Sequence, residues 1–144
     1  MNAIDILHDD HQKFLYYFDQ IEKLDTSDKE KLNQLFKELE VVVRNHMKAE
    51  EDIFYTEAMT IDELRQLIEK SYQAHHFAKL GLDELHLVPY AFDSWKPKFM
   101  ALRDLITLHM SEEEETVFPK AREKFSSEKL EAIGQKILEL REDK

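Results

Sequence analysis

HMKAEEDIFY, His46 to Tyr55, and LHMSEEEETVFP, Leu108 to Pro119, decide how this chain reads. Both stretches are helix-forming, and both set a glutamate four residues after a histidine: His46 with Glu50, His109 with Glu113. On a helix that spacing puts the two side chains on one face. The same face carries the apolar residues that must point inward. One chain therefore twice sets an imidazole and a carboxylate one turn apart beside its own core.

Working outward, the apolar stripes recur at near-heptad spacing along four segments. The first runs Ile4, Leu7, His11, Phe14, Phe18, Ile21, and the second Leu32, Leu35, Leu39, Val42, His46, Ala49, Ile53 with Glu50 flanking. The third runs Ile61, Leu64, Ile68, His75, Ala78, Leu82, Leu85, and the fourth Trp95, Phe99, Leu102, Ile106, His109, Glu113, Val117. Each stripe contains one histidine. Periodicity selects His75 over His76, which shares a face with Arg65, Glu69, Lys79 and Asp83. His86 falls at a helix end and reads as a cap or surface group, while His8, one turn before His11, is ambiguous.

Caps and breakers bound the segments. Helix 1 spans about Ile4–Leu24 and stops at DTSD. Ser27 with Glu30 forms a capping-box pattern opening helix 2, which continues to about Ala58. Thr60 with Glu63 repeats the signal for helix 3, ending near His86 before VPYAFDS. Ser94 caps helix 4, with Pro97 harmless in its first turn and Pro119 bending or ending it. A shorter helix, about Ser127–Leu140, follows. Long helices with short connections predict an all-α fold: an antiparallel up-down four-helix bundle with a short fifth C-terminal helix, residues 1–144 forming a single domain.

Composition agrees. The chain has 144 residues, 35% charged and 42% hydrophobic, with only two Gly and three Pro. It has no cysteine, which excludes disulfides, iron–sulfur clusters and thiol nucleophiles and suits a reducing, cytoplasmic setting. The apolar runs are too short to cross a membrane, and MNAIDILHDDH has neither the basic nor the apolar region of a secretory signal. A net charge of −11 argues against a nucleic-acid surface.

Counted from the helix ends, His11, His46, His75 and His109 fall within one or two turns of a common level. The chain also looks internally doubled: 35 residues separate His11 from His46, and 34 separate His75 from His109. A hydrogen-bonded polar core is the competing reading. Two carboxylates on stripes without Lys or Arg are costly to bury unless a cation joins them. Six N/O donors without sulfur exceed one tetrahedral zinc site but suit two ions, with Glu50 and Glu113 bridging and open positions left for a small ligand. Such ligation favours iron, with manganese or zinc as competitors.

DDHQKF, HMKAEEDIFY, AHHFAKLGLDEL and LHMSEEEETVFPKAR, in this order, resemble the hemerythrin-like, or HHE cation-binding, family. The resemblance covers Ile4 to about Leu140. It implies a four-helix bundle holding two iron ions (Fe2+/Fe3+) joined by water, oxo or hydroxo, with His11, His46, Glu50, His75, His109 and Glu113 as ligands. The sequence departs from the oxygen carriers in two places. Position 79 is Lys where they have a second helix-3 histidine, and Glu113 stands four residues after His109 where they have an aspartate at five. His8, a nearby Tyr or water would fill the vacant position. Reversible oxygen carriage is therefore not expected. The remaining Glu-rich positions read as solvated helix faces. The expected function is binding of, or reaction with, O2, NO or peroxide in sensing, detoxification or iron-centre repair, electrons coming from a donor protein. The alternative is an iron-buffering or interaction module without turnover.

Overall fold

The computed structural model describes residues 1–25, 27–90 and 92–142. Thr26 of the DTSD connection and Ala91 of VPYAFDS lie outside them. The described residues form an all-helical bundle. Helix α1 is Ala3–Lys23. Helix α2 begins as Lys29–Ala49, passes through a π-helical turn, Glu50–Phe54, and closes with Tyr55–Ala58. Helix α3 is Asp62–His86. Helix α4 is Trp95–Glu112, continued by a second π turn, Glu113–Val117, and by Phe118–Lys124. Helix α5, Ser127–Glu142, packs along α1.

Several helix starts differ from the sequence reading. Asp28, not Ser27, caps α2, its carboxylate accepting from the Lys31 N–H at 3.3 Å. Thr60 does not open α3; its hydroxyl closes the preceding helix by donating to the Glu57 carbonyl at 2.6 Å. Ser94 precedes α4 as expected, but its side chain makes no cap bond. Pro119 does not end α4. The π turn just before it has already rearranged the backbone bonding, and the helix continues to Lys124.

The same turns explain a shift in the apolar stripe. A π turn inserts one residue, so Phe54 and Tyr55 are buried where the spacing pointed to Ile53, which is only half-buried. Upstream, Val43 takes the inward place expected of Val42.

The core is split in two. One apolar cluster gathers Ile4, Leu7, Phe54, Leu64, Ile68, Phe118 and Ile133, and the other Phe14, Phe18, Leu39, Leu82, Trp95 and Phe99. Between them lies a layer of buried polar side chains: Asp10, His11, His46, Glu50, His75 and Glu113. Gly134 lets α5 approach the chain start closely, since a Cβ there would lie 2.3 Å from the Met1 carbonyl oxygen. That approach brings the end of α5 to the polar layer. Among the described residues, no helix is long and apolar enough to cross a membrane.

Candidate metal centre

The six residues selected by periodicity meet in this layer. One ligand atom each from His11, His46, Glu50 and Glu113 lies within 4.8 Å of the others, and so does one each from Glu50, His75 and His109. These groups define a first and a second position, with Glu50 common to both. The first is enclosed by α1, α2 and α4, the second by α2, α3 and α4.

The donor set fits a cation. His11 Nε2, His46 Nε2, Glu50 Oε2 and Glu113 Oε1 are buried without a hydrogen-bond partner. His11 Nε2 lies 3.2 Å from Glu113 Oε1, and His46 Nε2 lies 3.2 Å from Glu50 Oε1. Such orphaned inward-facing atoms are expensive unless something charged joins them. Electrostatics agree. Burial raises the Glu113 carboxyl and the neighbouring Glu50 charge raises it further. Burial also opposes ionisation of Glu50, but the His46 charge together with hydrogen bonds from Glu113, His109 and His46 outweighs it and holds Glu50 well below the usual range. The Glu50 charge thus opposes ionisation of Glu113 in the metal-free pair. His46, lowered by burial, is raised more strongly by Glu50 and Asp10, to about 10. His75, also opposed by burial, is pushed up to about 9 by Glu50 and Glu51. Protons hold together what a metal ion would otherwise hold.

Tyr55 reaches the second position. Its hydroxyl donates to Glu113 Oε2 at 2.7 Å and lies 3.1 Å from Glu50 Oε1, 3.2 Å from His75 Nε2 and 3.3 Å from His109 Nε2. Burial, then Glu113 and Glu50, raise the phenol well above its ordinary value. The sequence reading left a tyrosine, His8 or water as alternatives here. His8 is on the surface instead, its Nδ1 3.0 Å from Glu114.

A second ring of groups holds the imidazoles. His11 Nδ1 meets Glu114 at 2.7 Å, His46 Nδ1 meets Asp10 at 2.8 Å, and His75 Nδ1 meets Glu51 at 2.7 Å. These bonds fix ring orientation and turn Nε2 inward. Each carboxylate has a basic neighbour: Glu114 has His8, Asp10 has Arg141, and Glu51 has Lys79 at 3.0 Å. Glu51 and Glu114 are therefore not simply solvated faces, and Lys79 supports Glu51, the partner of His75. The available signal was the repeated His-x-x-x-Glu-Glu. Arg141 had none. His76 and His86 are exposed, and His86 pairs with Glu40 at 2.7 Å.

A long bundle whose facing helices project imidazoles and carboxylates into a buried layer defines a class, the helical metal-binding proteins. Within it, the hemerythrin HHE cation-binding domain model matches residues 2–121, and the chain belongs to that family. A crystal structure of a hemerythrin HHE cation-binding domain-containing protein from Mycobacterium kansasii superposes with a TM-score of 0.87 at 22% identity, covering 99% of this chain and 86% of that one. The chain is 24% identical over 134 residues to a DNA nickase of Nostoc sp. (strain PCC 7120 / SAG 25.82 / UTEX 2576), a match spanning 91% of this chain and 36% of the relative.

Proposed function

We propose that this is a non-haem di-iron protein whose site binds or reacts with a small ligand such as O2, NO or peroxide. The observation that carries this reading is the convergence of His11, His46, Glu50, His75, His109 and Glu113, with four unpartnered donor atoms facing inward. Glu50 and Glu113 would bridge, His11 and His46 would hold the first ion, and His75, His109 and the Tyr55 phenolate the second. Manganese or zinc would also suit these donors. Iron bound here would supply a Lewis-acidic centre able to change oxidation state.

The chain's own residues define the ligand space. A cavity of about 20 Å³ lies against the imidazoles, walled by Phe14, Val43, Met47, Ile106 and Met110. It holds one water or a diatomic molecule and little more. With Phe118 stacked on His11 at 5.7 Å, no phenol is supplied at the first position as Tyr55 supplies one at the second, so the first ion is the one left open. The reading belongs to a reducing cytoplasm, in which an electron-donor protein returns the iron to the ferrous state. DNA nicking is not carried over from the Nostoc relative. This chain spans 36% of that protein, and a net charge of −11 opposes approach to phosphates.

The test is anaerobic ferrous loading, with metal analysis and absorption spectra before and after exposure to NO or air. About two irons per chain and spectral changes with either gas are expected from six donors and two bridges. No ferrous binding would overturn the reading. Return of the ferrous spectrum on degassing alone, over repeated cycles, would instead make this an oxygen carrier.

A further inference from the structure

We infer that ferrous-sized cations enter and leave the site at the second position, through a surface groove beside His109. This rests on the six residues being metal ligands, as proposed above. Three of the four imidazoles are sealed, with side chains 2–3% exposed, whereas that of His109 is 12% exposed. The same three have a carboxylate on Nδ1, and among the described residues no carboxylate holds His109 Nδ1.

The internal doubling explains the difference. Asp10, just before His11, crosses to His46 on the next helix. The matching residue just before His75 is Ala74, so nothing crosses to His109. A groove of about 190 Å³ opens at this spot, lined by Lys70, Ser71, Ala74, Leu108, His109 and Glu112. Ala74 and His109 also line the inner cavity, so these two side chains separate groove from centre. Beside them Lys70 Nζ meets Glu112 Oε2 at 3.0 Å, with the lysine 71% exposed. A solvated ion pair of this kind opens readily, leaving a carboxylate to receive an arriving cation. A groove of about 270 Å³ also runs beside His11 at the first position, but that imidazole is 2% exposed and Glu114 holds its Nδ1 at 2.7 Å, so the exit there stays closed. An imidazole whose Nδ1 no carboxylate holds is the ligand that can release its ion and take up another.

The experiment uses the full chain loaded anaerobically with ferrous ion and a chelator that colours on binding it. Two release phases of equal amplitude are expected, separated by about tenfold or more. Protein stripped through the first phase is then treated with a histidine-acylating reagent and its peptides are mapped by mass. His109 should become modified while His11 and His46 stay protected, with exposed His8, His76 and His86 as controls. Ala74→Asp, which restores the missing carboxylate, should slow the fast phase about tenfold. A single release phase overturns the inference, as does modification of His11 and His46 first. A fast phase unchanged in a folded, two-ion Ala74→Asp protein overturns it too. If that variant does not fold, the mapping on the unaltered chain decides. A chain that binds no ferrous ion removes the metal reading and this inference together. Two ions released in one phase remove only the inference.

Discussion

The pair α1 and α2 and the pair α3 and α4 are two versions of one scaffold. Each carries a lone histidine and then, some 35 residues later, His-x-x-x-Glu-Glu with a π turn starting at the first glutamate. Nine residues beyond the second histidine stands an aromatic ring, Tyr55 in one pair and Phe118 in the other. Tyr55 lies 5.3 Å from the His75 ring and Phe118 lies 5.7 Å from that of His11. Only the phenol reaches the two glutamates. Likewise Asp10 is matched by Ala74. The shared features build the polar layer. The single-atom and single-residue differences make its two positions chemically unequal.

The largest effects should come from what the pairs share. Glu50, common to both groups, and Glu113, whose Oε1 lies 3.2 Å from His11 Nε2 and 3.6 Å from His109 Nε2, are 0% exposed, so replacing either with Ala should remove most metal from both positions. Metal analysis should show content falling from about two ions to well below one, as expected when a bridging ligand is lost. His75→Ala should remove chiefly the second ion. His76→Ala, on the exposed face, should leave both. Equal losses in His75→Ala and His76→Ala would break the comparison at its root.

Next comes the response of the metal-free protein to pH. His46 and His75 are raised to about 10 and about 9 from an ordinary value near 6.5. A group raised on folding stabilises fully below its unfolded pKa, and that contribution disappears as pH climbs through the folded value. The Tm of stripped protein should therefore fall between about pH 6.5 and 10. In loaded protein the ions replace these protons, so the fall should be absent. Parallel pH profiles for the two forms would show that the imidazoles do not exchange protons for metal.

Tyr55→Phe makes the second position resemble the first. Ferric protein with a phenolate ligand absorbs in the visible, and the variant should lose that band while retaining about two ions. The converse change, Phe118→Tyr, should cost little stability and test whether the first position accepts a phenol. A visible band unchanged in Tyr55→Phe would leave Tyr55 as a hydrogen-bond donor and nothing more.

How much of this was legible depends on the range of the signal. Helix spans followed from local periodicity, and so did the inward histidines, including the choice of His75 over His76. Caps were less certain, because Ser27 and Asp28 are adjacent competitors and only the chain's approach chooses between them. The π turns were not foreseen, although Phe54–Tyr55–Ala58 runs one residue late against the stripe before it. Glu51 and Glu114 look like surface charge until the facing helix presents an imidazole. Tyr55 was visible only as one aromatic among several, since its reach depends on the extra residue of the π turn. Arg141 lies 131 residues from Asp10, and no pattern within one helix could join them.

The smallest effect belongs to that long-range pair. Arg141 lies outside the family-matching residues 2–121, yet Nη1 and Nη2 donate to the two oxygens of Asp10 at 3.2 and 2.5 Å. Asp10 in turn accepts from His46 Nδ1 at 2.8 Å. Arg141 touches no proposed ligand, so it can act only by holding Asp10, and Asp10 only by holding His46. Asp10→Ala should thus weaken metal binding about tenfold, as loss of an outer partner does. Arg141→Met keeps much of the arginine's apolar packing but releases Asp10, and should cost about two- to threefold, less than Asp10→Ala because the aspartate can still reach the imidazole. Combining the two should add nothing beyond Asp10→Ala, since residues acting in series share one effect. The measurement is competitive chelation of each variant, resolved by position. Losses that simply add in the double variant, or that fall on the His75 and His109 position, would show that α5 does not act through Asp10.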